Sequence, residues 1–363
     1  MERRAGVNFI HIADTHLGMQ PDPGKHWSKK RAEELWDTFR TVIQICNEKL
    51  VDLLLISGDL FHHRPLKREV KEVNYLFSTL KHTKVVLIAG NHDYISKGTA
   101  YEEVEWAKQV TMLSQETIQS VYFPELDTEV SGFSYHSREI TERLYDDVSR
   151  GERGKIQILL GHGGDERHVP FDRKQLAKAG FDYVALGHIH KPELWLEEKM
   201  AYAGALEPTD KNDMGQHGYI IGEIELNTEK TKAITQFKLV PIAKREYVSL
   251  RSKVTVESTN VGLLENIASM IVQNGEENIY KITLEGNYDP EAPLNPDLLY
   301  RTGNVVQVID ETKPDYDVDI LLYEHQEDVI GMYIQEFQKE SMDEKKQKAL
   351  FYGINALLKQ EES

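Results

Sequence analysis

Five short apolar runs in this 363-residue chain each end in side chains that bind metals or move protons. Asp14-Thr15-His16 follows the first and Gly58-Asp59-Leu60-Phe61-His62 the second. Gly90-Asn91-His92-Asp93, Gly161-His162-Gly163 and Gly187-His188-Ile189-His190 follow the other three. A single Asp, His or Gly after a strand is ordinarily a helix cap or a turn residue. A series of five, rich in Asp, His and Asn and without cysteine, is poorly explained by independent turns. Nitrogen and oxygen donors without thiolate suit divalent ions such as Mn²⁺, Fe²⁺ or Zn²⁺. Two such ions held together need a shared carboxylate, and Asp59 is the natural bridge. A pair about 3.5–4 Å apart can clamp a phosphoryl group and acidify a water for in-line attack. The chemistry implied is phosphoester hydrolysis.

The elements that must position these clusters follow from periodicity. Residues 7–12, 52–57, 84–89, 155–160 and 182–186 are short and almost continuously apolar, as strands covered on both faces are. Between them, Leu35, Phe39, Val42, Ile43 and Cys46 recur at helical spacing, as do Val70, Val73, Phe77 and Leu80. A third helix is expected over residues 101–113, with Val104, Ala107 and Val110 or Met112 facing inward. This is α/β alternation, and ligands in such sheets gather outside the carboxyl ends of the strands, so the five clusters should meet in one cleft. From residue 200 the texture changes to strands without helices, at 201–205, 219–226 and 233–239, which points to a second sheet. The turn-rich segment Lys211-Asn212-Asp213-Met214-Gly215 lies among them.

After Pro241 comes a smaller α/β pattern, with strands near 247–250, 279–284 and 305–309 and a helix bearing Leu263, Leu264, Ile267 and Ile271. Two amphipathic stripes close the chain: Val329, Ile330, Tyr333, Ile334 and Phe337, then Leu350, Phe351, Ile354, Leu357 and Leu358. They lie about a charged link at 339–348. The expected division is a domain at 1–243, a small α/β domain at 244–324 and a helical tail at 325–363.

Lys and Arg number 43 against 60 Asp and Glu, for a net charge of −17, so bulk charge does not draw this chain to nucleic acid or an anionic membrane. The single Cys46 forbids an intrachain disulfide and a cysteine-clustered zinc site, and its place in an apolar stripe makes it a buried small residue. The apolar run near the start is too short for a signal-peptide core, and no run of some 18 apolar residues is present. The expectation is a soluble, cytoplasmic protein with no membrane partner.

The motifs D-x-H, G-D-x-x-H, G-N-H-D, G-H and G-H-x-H, in this order over residues 7 to about 225, resemble the calcineurin-like metallophosphoesterase superfamily. Gly58-Asp59-Leu60-Phe61-His62 and Gly187-His188-Ile189-His190-Lys191-Pro192 look like those of the SbcD-type nucleases of DNA double-strand-break repair. The resemblance implies an α/β fold of four layers, a two-sheet β-sandwich flanked by helices, with a smaller α/β domain and a helical C-terminal tail. It further implies two divalent metal ions, Mn²⁺ foremost. Asp14, His16, Asp59 and His190 would hold one ion, and Asp59, Asn91, His162 and His188 the other. His92, paired with Asp93, would stabilise the transition state or protonate the leaving oxygen, with His62 assisting. The implied partners are DNA, a coiled-coil ATPase of the SbcC type docked on the tail, and a second copy of the chain through core-domain helices. The Gly163-Gly164-Asp165 that follows His162 departs from several relatives.

Three functions are open at this point: a DNA exonuclease and endonuclease, a small-substrate phosphatase or nucleotide phosphodiesterase on the same fold, and a non-catalytic DNA-end scaffold. The full ligand set disfavours the scaffold, and the appended domain disfavours a small substrate. Two basic segments, residues 63–68 and 25–31, are candidates for holding backbone phosphates. The remaining histidines, His11, His26, His63, His82, His136, His168, His217 and His325, read as core or solvated residues.

Overall fold

Because the apolar runs are short, β-branched and bounded by Gly and Asp, they form strands that carry their chemistry at one end. A computed structural model of the chain describes residues 6–227, 233–339 and 341–361. Residues 1–5, and residues 340, 362 and 363 of the expected tail, lie outside that description. The chain begins β1 (Gly6–Ile12), α1 (Ser28–Glu48), β2 (Leu53–Ser57), α2 (Lys67–Ser78), β3 (Lys84–Ile88), α3 (Ala100–Glu103) and β4 (Val110–Met112). It continues through β5 (Gln119–Phe123), β6 (Thr128–Gly132), β7 (Ile156–His162), α4 (Arg173–Ala177) and β8 (Tyr183–Gly187). Then come β9 (Glu193–Trp195), β10 (Met200–Tyr202), β11 (Gly218–Leu226) and β12 (Ala233–Pro241).

These strands make two six-stranded sheets. The first runs β12-β11-β1-β2-β3-β4, with β1 to β4 parallel and β11 and β12 antiparallel at one edge. The second runs β5-β6-β7-β8-β10-β9, parallel at its centre and antiparallel at both edges. Alternation within each strand builds the layers. Phe9, Leu53, Leu55, Val86 and Ile88 face Ile156, Ile158, Leu160 and Ala185 of the other sheet. Ile10, Leu54, Ile56 and Leu87 point the other way, onto Leu35, Phe39 and Val42 of α1 and Val73 and Phe77 of α2. The second sheet covers its outer face with Tyr145, Leu176 and Phe181 against Leu159, Val184 and Leu186. The result is the expected stack of helices, two sheets and helices.

The helix expected over 101–113 is a correction. Helix α3 stops at Glu103, Val104 is extended (φ −96°, ψ 125°), and Val110–Met112 instead pairs in parallel with Val85, Val86 and Leu87. The three- and four-residue spacing there is accidental. β-branched Val110 and Thr111 suit the open edge of the sheet, and the side chain of Asn74 ties down the turn by bonding Ala107 N and Glu105 O. Strands β5 and β6 have no counterpart in the periodicity reading. The apolar signal is diluted there by Glu129, a buried carboxylate that accepts from Ser120 Oγ and Gln157 Nε2.

The chain divides into two compact units, one ending at Tyr247 and the other beginning at Val248. The second holds β13 (Tyr247–Val254) from Val248 onward, α5 (Asn260–Asn274), β14 (Ile279–Tyr288), β15 (Val305–Asp310) and β16 (Lys313–Pro314). Leu263, Ile267 and Ile271 of α5 pack on Leu250, Ile282 and Leu284 of this small sheet. Helices α6 (Val318–Glu324), α7 (Val329–Gln338) and α8 (Glu344–Glu361) close the unit. The two closing stripes meet each other, with Ile330 and Ile334 buried against Leu350 and Ile354, while Val329 and Met332 stay exposed.

Candidate metal centre

The loops after β1, β2, β3, β7 and β8 converge at the carboxyl ends of the central strands. Their backbones are tied together before any side chain is considered: Asp14 N donates to Gly58 O at 3.2 Å, His16 N to Asp59 O at 3.1 Å and His62 N to Leu17 O at 3.1 Å. To turn the side chains inward, four candidate ligands adopt positive φ: Asp14 (49°), His16 (45°), Asp59 (49°) and His188 (98°). This region is uncommon for residues other than glycine, although Asp and His enter it more readily than most. Gly90 is glycine for a different reason, since a Cβ there would collide with the Asp59 carboxylate.

The side chains meet as the clusters require. Ligand atoms of Asp14, His16 and His190 lie within 4.8 Å of one another, as do those of Asp14, Asp59 and His162. Asn91 Oδ1 lies 2.9 Å from His162 Nε2 and 3.1 Å from His188 Nδ1. All seven expected ligands are therefore gathered in one place.

The donor set fits divalent cations. His162 Nδ1–H donates to Ser57 O at 2.9 Å, so its Nε2 lone pair faces Asn91 Oδ1 and Asp59 Oδ2, the latter at 3.5 Å. His190 Nδ1–H donates to Asp213 Oδ2 at 3.0 Å, so its Nε2 lone pair faces His16 Nε2 at 3.0 Å. Donor atoms gathered at such distances in a buried pocket need a cation among them, a proton on the histidine nitrogens or a metal ion in its place. The titration of the groups expresses the same need. Burial raises the Asp14 carboxyl to about 6. Burial works to lower His162, but the charge of Asp59 outweighs it and lifts the imidazole to about 9. Asp59 itself is held well below the carboxylate range despite its burial, by His162 and His16.

His92 and His62 line the rim, their rings stacked at 5.2 Å. The expected pairing of His92 with Asp93 is corrected by the hydrogen bonds. Asp93 turns away into the core, where it accepts from Gly90 N at 2.7 Å, Phe61 N at 3.2 Å and Tyr101 Oη at 2.6 Å. Burial, with Asp59 nearby, raises its carboxyl to about 6. His92 is oriented instead by the chain itself: its Nδ1–H donates to His62 O at 3.1 Å and its backbone N–H to Asp59 Oδ1 at 2.9 Å.

Asp165, Asp213 and Thr209 belong to this neighbourhood and have no role in the sequence reading, and His168, read there as a solvated histidine, lies against Asp165 and His188. Asp213 was hidden in a turn-rich segment, and Asp165 marked itself only by following Gly163-Gly164. His11 is a satisfied core histidine, bonded to Tyr183 Oη at 2.9 Å and Ser57 Oγ at 3.1 Å, and burial pushes it down to about 3. Of the basic segments, residues 25–31 lose Arg31 to the interior, where it donates to Glu34, Glu207 and Pro208 O. Lys67 and Arg68 are exposed, and Lys67 pairs with Glu103 at 3.1 Å.

Two stacked mixed sheets with a His/Asp/Asn cluster at their strand ends define a metal-dependent phosphoesterase. The family model of the calcineurin-like phosphoesterases matches residues 7–192, and the chain belongs to that family. It is 29% identical over 235 residues to the uncharacterized metallophosphoesterase YhaO of Bacillus subtilis, covering 59% of this chain and 57% of that protein. It is 28% identical over 264 residues to the DNA double-strand break repair protein Mre11 of Methanocaldococcus jannaschii, covering 68% of this chain and 69% of that one. The Mre11 protein of Saccharolobus solfataricus is 25% identical over 376 residues, covering 93% and 92%. No helix among the described residues is long and apolar enough to cross a membrane.

Proposed function

We propose that this phosphoesterase is a DNA nuclease of the SbcD type, cleaving phosphodiester bonds with two divalent metal ions, Mn²⁺ foremost. The observation that carries the reading is the convergence of Asp14, His16, Asp59, Asn91, His162, His188 and His190 beside a rim histidine whose Nε2 is left for substrate. The similarity to Mre11 proteins along most of the chain supports DNA as the substrate. When bound, the ion pair supplies positive charge to the phosphoryl oxygens and acidity to water. Asp59, reaching toward both halves of the site, joins them. With Nδ1–H committed to His62 O, the imidazolium form of His92 would carry its second proton on Nε2 and would give that proton to the departing oxygen, leaving the neutral Nδ1–H tautomer. His62, stacked on His92, fixes the plane of that ring.

In the same reading, residues 1–243 are the nuclease domain, 244–324 a DNA-guiding domain and 325–363 the segment that docks an SbcC-type ATPase, the enzyme acting as a homodimer. The net charge of −17 favours the second reading, a small-substrate phosphodiesterase. Single- and double-stranded DNA, incubated with the protein and Mn²⁺, Mg²⁺ or Zn²⁺ beside a small chromogenic phosphodiester, separate the two. Metal-dependent shortening of DNA is expected. Turnover of the chromogenic compound with DNA left intact under every metal overturns the nuclease assignment.

A further inference from the structure

Each histidine of a metal site has two ring nitrogens, and the partner of one decides what the other can do. His188 and His190, two residues apart on one loop, solve this in mirror fashion. His188 Nε2–H donates to Asp165 Oδ2 at 2.7 Å, and its Nδ1 lone pair faces Asn91 Oδ1. His190 Nδ1–H donates to Asp213 Oδ2 at 3.0 Å, and its Nε2 lone pair faces His16. Neither carboxylate sits on a free rotor. Asp213 accepts from Thr209 N at 2.9 Å and Thr209 Oγ1 at 2.7 Å. Asp165 accepts from Arg167 N at 2.8 Å and His168 N at 3.0 Å, and its Oδ1 lies 2.8 Å from His168 Nδ1.

We infer that Asp165 and Asp213 are paired positioning residues, each locking one ligand histidine in the tautomer that aims its lone pair into the site, so that each governs the affinity of a different ion. The inference rests on the dinuclear reading above. Asp165, His168 and His188 also satisfy the distance for an ion of their own. Such an ion would take the one ring nitrogen of His188 that does not face Asn91, so the hydrogen bonds favour the orienting role. The two supports differ in strength. Asp213 is buried to 11% side-chain exposure, whereas Asp165 is 48% exposed and screened by solvent. Loss of Asp213 therefore weakens its ion more than loss of Asp165 weakens the other.

The test is a calorimetric titration of the metal-free full chain with MnCl₂. Wild type is expected to take up two ions. Asp213→Ala and Asp165→Ala each weaken one binding step, by about 10–100-fold, and leave the other step in place. The double variant weakens both steps. Asp213→Asn, which keeps an acceptor oxygen without the charge, falls between Asp213→Ala and wild type and guards against a folding defect. Raised Mn²⁺ restores turnover in the single variants, which repair of misfolding would not do. Unchanged affinity in both single variants, or a double variant no worse than either single, overturns the positioning role. A third strong Mn²⁺ step lost with Asp165→Ala overturns it in favour of a separate ion. The dinuclear reading fails on different evidence, namely a wild type that binds fewer than two ions or an Asp59→Asn variant that still binds both tightly.

Discussion

The two units of this chain bury opposite kinds of side chain. Up to Tyr247 the interior contains Asp14, His16, Asp59, Asp93 and His162, together with the Arg31–Glu207 pair. From Val248 onward, the buried polar side chains among the described residues are Ser252, Thr283 and the hydrogen-bonded phenol of Tyr280, none of them charged. A buried ionisable group costs free energy that an apolar residue of similar volume does not. The first unit offsets that cost by pairing its buried groups, Arg31 with Glu207 and His162 with Asp59, and by hydrogen bonds such as those of Asp93 to Gly90 N and Tyr101 Oη. The second, built on one small sheet and four helices, devotes its interior to packing. Buried charge thus concentrates in the unit that holds the candidate metal centre, and the second unit lacks it among the described residues.

If this contrast is sound, the largest effects come from charges in the first unit. Asp59→Asn should abolish hydrolysis under Mn²⁺, Mg²⁺ and Zn²⁺ and weaken both ions together, read by turnover and metal content. Near wild-type turnover with two ions bound would break the contrast outright. His92→Ala should keep two ions and lose roughly 10²–10⁴-fold in rate. A fall in metal content would instead make His92 a ligand. In the second unit, Ile334→Ala should cost about 2–5 kcal/mol of that unit's stability by opening the α7–α8 core, while hydrolysis of a small chromogenic phosphodiester stays unchanged. Chemical unfolding followed by both readouts checks this, and a parallel loss of turnover would erase the distinction between the units. The smallest effect belongs to the surface. Lys67→Glu with Arg68→Glu should weaken DNA binding and flatten its salt dependence, by about one unit of slope per lost phosphate contact. An unchanged affinity across a salt series would return both residues to solvent-facing roles.

Legibility in the sequence follows the same division. The five clusters were readable because metal-ligand side chains cannot be disguised as turn residues when they recur after five apolar strands in one chain. The core strands themselves are readable, since strands covered on both faces leave continuous apolar runs, but their division into sheets is not: the second sheet expected from the strands after residue 200 is instead built around β7 and β8, while β11 and β12 extend the first sheet. Helix 101–113 was misread because Val104, Ala107 and Val110 mimic helical spacing, and only pairing with β3 reveals Val110–Met112 as an edge strand. Strand β6 escaped because Glu129 and Ser131 are buried against polar partners. Asp93 was assigned to its sequence neighbour His92, yet it bonds Tyr101 and the backbone of Phe61, contacts that only the fold creates. Asp165 and Asp213 were missed on the same ground: hydrogen-bond partners 23 residues away leave no periodic trace.

The left-handed backbone at Asp14, His16, Asp59 and His188 also bears on how this protein responds to selection for heat resistance. Side chains in that region typically carry a load of ~1–3 kcal/mol each, maintained only because the surrounding structure enforces it. Glycine at such a position lifts the load. A thermostability screen blind to activity should therefore enrich glycine at His188, whose φ of 98° is the least suited of the four to a side chain. The metal-free His188→Gly variant should melt above wild type while being catalytically dead, so that durability and catalysis draw on the same residue in opposite directions. A melting temperature at or below wild type would mean that the bond of His188 to Asp165 outweighs its backbone strain.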